Sequence, residues 1–414
     1  MIRKRGLGLA VALFALLLGP ACGSSDPTPT DAAPSATPTL AEPTATPTPA
    51  LSAFEQEWEA LKAAAREEGK FVLATGNTAS RGLVPVIRGV FGEQFGIQVV
   101  INAGNGGQHM ARISAERAGG RFELDAIIHS RTTLGNRLGP AGFLAPIQEQ
   151  IIHPDALDLS KWFGGRLWWR EPDGVEPKFS VSTAVRALPN PIDPGYNTDL
   201  LSEADIAEID SVWDFLDDRW KGQIIAMSPL EGGTAARLQL IYTHEEMGPE
   251  WLARFYGKDL DVTFVAEDRQ IVDAVALGTH TFSMFDLGAG SVFPILKIQG
   301  MPVDVWSKNL KEGGIMAATG AVSWTALLDR APHPNAAKLW LNWWLTQEGQ
   351  TAYNTLFAGG GQAPSLREDV PPGVTLPQQR RIPGAVYAMA SLDTSLPDLT
   401  LEAVDFAQRV FLER

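Results

Sequence analysis

Four short stretches hold the residue types best suited to polar recognition: Gly76 to Ser80 (GNTAS), residues 102–108 (NAGNGGQ), Ser130 to Thr133 (SRTT) and residues 228–234 (SPLEGGT). Three of them mix glycine with hydroxyl or amide side chains, and SRTT sets three hydroxyls beside an arginine. Glycine lets backbone N–H groups approach a ligand closely, and hydroxyls and amides both donate and accept, so the chemistry on offer is non-covalent capture of a polar or anionic group. Tight turns select the same residues, and that plainer reading stands beside the binding one. Covalent chemistry finds no support. His244 and Glu245 begin an H-E pair, but Gly248 stands where a zinc-protease motif needs its second histidine; the GAGS of residues 288–291 is not a nucleophile elbow; and no G-K-[ST] follows the NGG of residues 105–107. The six histidines are scattered, with none paired at helical ligand spacing, and a lone one such as His129 reads as a satisfied structural residue. No enzyme activity, metal site or cofactor is expected.

The elements that must position these stretches alternate along the chain. A helix with Phe54, Trp58, Leu61 and Ala65 on one face leads into a strand at 71–75. There follow a helix with Leu83, Val86, Ile87, Val90 and Phe91 inward, a strand at 97–101, a helix around Met110 and Ile113, and a strand at 124–129. That order predicts an α/β layer with a largely parallel sheet, in which ligands sit off the carboxyl ends of the strands. Three of the four polar stretches fall there. A second set begins with an extended segment at 179–187, a strand end at 194–201 and helical residues 213–220. Strands are expected at 223–227, 263–266, 281–285 and 302–306, with a return at 317–324. The SPLEGGT turn precedes a helix from Ala235, whose free N–H groups suit an anion or a carbonyl oxygen. Residues 334–349 read as one helix from Pro334 to a stop at Gly349, almost wholly apolar, with Lys338, Asn342 and Thr346 as a narrow polar stripe.

The chain has 414 residues, 45% apolar and 20% charged, enough for a large core and two lobes. A formal net charge of -14, more negative still without Arg3, Lys4 and Arg5, has the wrong sign for nucleic acid. Residues 1–22 have the form of an export signal: three basic residues, an apolar run over 7–18 too short for a confident span, then small residues before Cys22. As the single cysteine, Cys22 rules out an intrachain disulfide. Its place at the end of the signal suits lipidation, although Leu18 lies one position too early for the usual lipobox; a soluble secreted product cleaved nearby is the other reading. Residues 23–51 are Pro, Thr, Ala and Ser without periodicity, a disordered tether that would reach roughly 90 Å if fully extended.

Four segments together resemble the extracellular solute-binding proteins of ABC importers, in the branch of the ferric-ion, thiamine and phosphonate binders: EWEALKAAAREEGKFVLATG (57–76), YNTDLL (196–201), SVWDFLDDRWKGQIIAMSP (211–229) and APHPNAAKLWLNWWLTQEGQ (331–350). The resemblance implies a two-lobed type II periplasmic-binding-protein fold, two mixed sheets flanked by helices and joined by hinge strands near 179–197 and 317–324. Lobe 1 would be 52–180 completed by about 320–365, and lobe 2 would be 181–319 completed by a tail at about 366–414. It also implies a monomeric, membrane-anchored receptor outside the cell membrane that hands its solute to a permease and an ATPase. The ligand would meet Thr75, Asn77, Thr78, Asn105, Gly106, Ser130 and Arg131 from lobe 1, and Gly232, Gly233, Thr234 and Asp286 from lobe 2. Arg131 has an alternative role as a structural ion pair, and Asp286 as a helix cap. Ferric members use adjacent tyrosines in lobe 2; here that region reads TFSMFDLG (281–288), with phenylalanine where a phenol is needed, which favours a small polar or anionic solute over iron. An enzyme or a non-transport sensory receptor on the same fold is the reading of another class.

Overall fold

The computed structural model describes residues 51–414 except 232–233, 286–288, 318–323, 358–362, 374, 376–379, 383–384, 386, 390–391 and 393–398. Cys22, Gly232, Gly233 and Asp286 therefore lie outside the described residues, as do the leader and tether. The helix Ala53–Glu68 opens the described chain. Ser52 caps it, its hydroxyl accepting from the Glu55 N–H while the Glu55 side chain reaches back, and Gly69 ends it at φ 65°.

The strands are β1 (Lys70–Thr75), β2 (Gln98–Ala103), β3 (Ala126–His129), β4 (Trp168–Trp169), β5 (Ser180–Ser182), β6 (Arg186–Leu188), β7 (Gly195–Asn197), β8 (Ile224–Met227), β9 (Thr263–Val265), β10 (Phe282–Met284), β11 (Val303–Val305), β12 (Gly314–Ala317), β13 (Trp324–Leu327) and β14 (Tyr387–Ala388). Among the described residues they form a six-stranded sheet in the order β2-β1-β3-β13-β5-β4, a five-stranded sheet β11-β7-β10-β8-β9, and a small sheet β14-β12-β6. The first three strands run parallel, and so do β8, β9 and β10. Helices cover these parallel strands, which is why β3 and β8 read as unbroken buried runs instead of alternating.

The registers show how the two larger sheets are joined. Trp324 of β13 lies opposite both His129 of β3 and Ser182 of β5, so β5 ends at the edge where β3 ends. The chain then runs through β6 and enters the five-stranded sheet at Gly195, opposite Ser283 near the end of β10. The return strand β12 pairs antiparallel with β6, Ala317 against Arg186, before β13 starts at the same edge. Both crossings thus connect the carboxyl edges of the two parallel strand sets.

Each sheet has its own apolar core. Phe71, Ile127, Trp340 and Trp344 belong to the first; Ile225, Trp251, Phe282 and Trp306 to the second, which also takes Ala403 and Ala407 from the helix Thr400–Glu413. The tryptophan-rich segment differs from expectation at its end. The helix Pro334–Leu345 stops at Thr346, and a second helix, Gln347–Leu356, begins at once with the Thr346 hydroxyl accepting from the Gly349 N–H. Gly349 is no stop: it sits in that helix's first turn, where a Cβ would stand 2.1 Å from the Trp343 carbonyl oxygen. Residues 213–220 also depart from a single helix, forming two short 3-10 turns, Val212–Leu216 and Asp218–Trp220, each started by an Asp or Ser cap.

Candidate functional site

The loops after β1, β2 and β3 are laced together by hydrogen bonds beneath their tips. Thr75 ends β1 fully buried, and its carbonyl accepts from the Gly104 N–H at 3.0 Å and from His109 Nε2 at 3.0 Å. His129 ends β3; the Ser130 N–H donates to its Nδ1 at 2.9 Å, which leaves the ring proton on Nε2, 3.3 Å from the Gly104 carbonyl. Burial pushes the His129 pKa down to about 4, with the charges of His109 and Arg137 acting the same way, so the ring is neutral at ordinary pH. The structural role expected for this histidine is what its hydrogen bonds describe.

Asn105 caps the helix Gly106–Ala118 through a reciprocal box with Gln108, at 2.8 and 2.9 Å. Its side-chain oxygen is therefore used by the fold, and only its NH2 remains for a ligand. Gly106 faces the Thr133 hydroxyl so closely that a Cβ would lie 2.3 Å from Oγ1. Ser130 caps the turn Arg131–Thr133, its Oγ 3.1 Å from that same Thr133 hydroxyl. Thr75, Asn105, Gly106, Ser130 and the half-buried Arg131 thus stand on adjoining loops at one sheet edge. Asn77 and Thr78 open the helix Asn77–Leu83 on the neighbouring loop; Gly76 gives it no side-chain cap, and Asn77 is exposed. Among the described residues the first-turn N–H groups there have no side-chain acceptor.

Three residues at this edge were not among the expected ligand contacts. Two of them, His109 and Thr133, knit the loops together. The signal for His109 was its spacing of four from Ile113, which puts it on the buried face of the helix and aims its ring back over the preceding turn. The third, Arg137, is exposed, and its Nη1 would lie 3.3 Å from a Cβ on Gly107, so the guanidinium sits beside the first turn of the helix Gly106–Ala118. Among the described residues it has no carboxylate partner within salt-bridge range. A cation, helical N–H groups and hydroxyls side by side favour negative charge.

The five-stranded sheet offers a second group of loops. Ser228 follows β8 and its hydroxyl accepts from the Leu230 N–H at 3.3 Å; Thr234 is buried and its hydroxyl donates to the Glu231 carbonyl at 3.0 Å. The Thr234 proton is spent locally, while the helix Ala235–Tyr242 that it precedes has no side-chain cap. After β10, Phe285 adopts φ 57°, a left-handed conformation unusual for a bulky residue, and its ring points into the core at 5.0 Å from Phe255 and 5.8 Å from Tyr256. No group of three or more His, Cys, Asp or Glu among the described residues is placed to hold a metal ion, and none of their helices is long and apolar enough to cross a membrane.

No family model matches this chain, and no curated protein sequence matches it. Solved structures do. The Trichodesmium protein IdiA (FutA) in complex with iron and citrate superposes with a TM-score of 0.59 over 83% of this chain and 99% of its own, at 17% identity. Ferric iron-binding protein A of Mannheimia haemolytica in an open conformation gives 0.60, 84%, 99% and 12%. The substrate-binding protein of an ABC transporter from Agrobacterium tumefaciens gives 0.55, 83%, 95% and 13%. The chain has the fold of these proteins, the two-sheet periplasmic-binding-protein architecture expected from its sequence.

Proposed function

We propose that this chain is the solute-binding component of an ABC importer, taking a small polar or anionic solute in a cleft between two lobes and presenting it to a permease and its ATPase. The lobes would be 52–180 with about 320–365, and 181–319 with about 366–414. The observation that carries the reading is the pair of crossings: both link the carboxyl edges of the parallel strands, as a hinge between two groups of polar loops would require. Hinge closure over a ligand converts contacts made only in the closed state into a population shift. An anion is favoured by Arg137 beside the start of the helix Gly106–Ala118, together with the uncapped N–H groups at Asn77 and Thr78. Micromolar capture requires about 8 kcal/mol and single hydrogen bonds contribute about 0.5–1.5 kcal/mol net, so both groups of loops are needed.

The chain would work outside the cell membrane, held there by a lipid on Cys22 and the tether of residues 23–51. It is not read as an enzyme. Iron is the second reading, since two of the structures similar to this one carry iron in their names. Against it, Phe285 has no oxygen to give and turns its ring into the core.

Native mass spectrometry of the purified protein, beside a metal assay and a thermal-shift screen of anions and organic solutes, tests the reading. A co-purified or stabilising organic anion is expected. Stoichiometric bound iron with a phenolate charge-transfer band would replace the ligand, and no stabilisation by any solute would remove the function.

A further inference from the structure

A cavity of about 400 Å³ is lined by none of the polar loops that follow β1, β2, β3 and β8. One wall comes from the small crossing sheet, with Ala187 of β6 and Tyr387 of β14; the facing wall comes from Val305 of β11 and from Lys297 on the helix Ala289–Ile298. Arg380 and Ile382 close it from the C-terminal segment.

The charges in the wall do not cancel. Lys297 Nζ is 2.5 Å from Asp304 Oδ2, so these two neutralise each other. Arg380 has no carboxylate partner among the described residues. Its Nε and Nη2 donate to the Thr375 carbonyl at 3.1 and 2.8 Å, and its Nη1 has no partner among the described residues. Tyr387 is a second donor, because its oxygen already accepts from the Ile382 N–H at 2.9 Å and its own proton is given to no acceptor among the described residues. The Ser307 hydroxyl, at an exposed position on the rim, makes no hydrogen bond with the described residues. Beside these donors stand the apolar surfaces of Ala187, Pro189 and Val305 and the Tyr387 ring.

We propose that this cavity is a second ligand site, separate from the strand-end loops, for a small organic monocarboxylate: the carboxylate on Arg380 with Tyr387 and Ser307, the hydrocarbon body against Ala187, Pro189 and Val305. One unbalanced cation with an apolar wall selects a single charge on an apolar frame, and a space of this size takes a ring or a short chain. A dianion would leave its second charge facing Asp304, and a neutral alcohol would leave Arg380 unanswered.

The probe is 4-fluorobenzoate, titrated against the full chain and read by the fluorine NMR line. Saturable binding is expected. Arg380→Ala should weaken it at least tenfold, and so should Ser307→Trp, which fills the cavity from an exposed position and protects the test should the arginine variant fold poorly. 4-Fluorobenzyl alcohol, with the same ring and no charge, should bind at least tenfold more weakly. Three results would overturn the site: no saturable binding by the parent chain up to about 10 mM, equal affinity in the parent and Ser307→Trp, or equal affinity for 4-fluorobenzoate and 4-fluorobenzyl alcohol. None of these outcomes decides whether the strand-end loops bind the transported solute.

Discussion

Gly106 and Thr133, on loops that follow different strands, approach so closely that a β-carbon on residue 106 would stand 2.3 Å from Thr133 Oγ1. The contact fixes the start of one helix against the turn that opens the next. Gly106→Ala must push these loops apart, at a cost of about 1–3 kcal/mol. Adding Thr133→Ala removes the clashing hydroxyl and should restore part of the loss. Urea denaturation of the two single variants and the double variant measures the coupling; additive effects would show that the loops do not share this constraint.

Arg137 is exposed and lacks a carboxylate partner among the described residues, so its removal should leave stability within about 0.5 kcal/mol of the parent. If it holds an anion at the adjacent helix start, Arg137→Ala should weaken capture of that anion about tenfold or more, equivalent to one charge-assisted hydrogen bond. Arg137→Lys should recover part of the affinity. Calorimetric titration with whichever anion stabilises the parent protein reads both, and unchanged affinity in the alanine variant would take Arg137 out of the site.

The strands and the polar loops after them were legible because hydrophobic period and turn chemistry are local signals, and β1, β3, β8 and β10 all stand where those signals put them. What remained hidden depended on distant partners. Asn342 was placed on a narrow polar stripe, since periodicity reports polarity and not what covers it; in the fold it is fully buried against residues 150–153. Gly349 looked like a helix stop because glycine commonly is one, and its actual reason, the Trp343 carbonyl, belongs to the turn before it. Arg137 gave no signal at all, as its placement beside Gly107 exists only after two helices have packed.

His129 makes stability depend on pH. Its folded pKa of about 4 lies below the unfolded value of 6.5, so the unfolded chain binds the proton more readily between these values. The contribution is complete above pH 6.5 and is lost as pH falls toward 4, to a limit of about 3 kcal/mol. Partly buried His153 and His280 act in the same direction. Asp125 opposes them: burial raises its pKa despite the hydrogen bonds from Val72 and His333, so its contribution falls as pH rises above 3.8. His129→Gln, which keeps a neutral donor and acceptor, should flatten the loss of stability between pH 7 and pH 5. Urea midpoints at the two pH values decide it, and an unchanged slope would assign the dependence to other groups.

Asn342 satisfies four groups at once. Its Oδ1 accepts from the Ile152 N–H at 2.7 Å and the His153 N–H at 2.9 Å, while Nδ2 donates to the Gln150 carbonyl at 2.8 Å and the Lys338 carbonyl at 2.9 Å. The side chain thereby pins residues 150–153, which have no strand partner of their own, to the tryptophan-bearing helix. Asn342→Ala strands two N–H groups in a site with no exposure, which costs about 2–4 kcal/mol. Asn342→Leu fills the volume but strands the same groups, so it should rescue little; Asn342→Asp keeps the accepting oxygen but sets its second oxygen against the Gln150 and Lys338 carbonyls, and should cost at least as much as the alanine variant. Amide hydrogen exchange at Ile152 and His153 localises the effect: protection there should drop in the alanine and leucine variants more than across β1. Equal loss everywhere would mean that the asparagine contributes only to global stability, with no local pin.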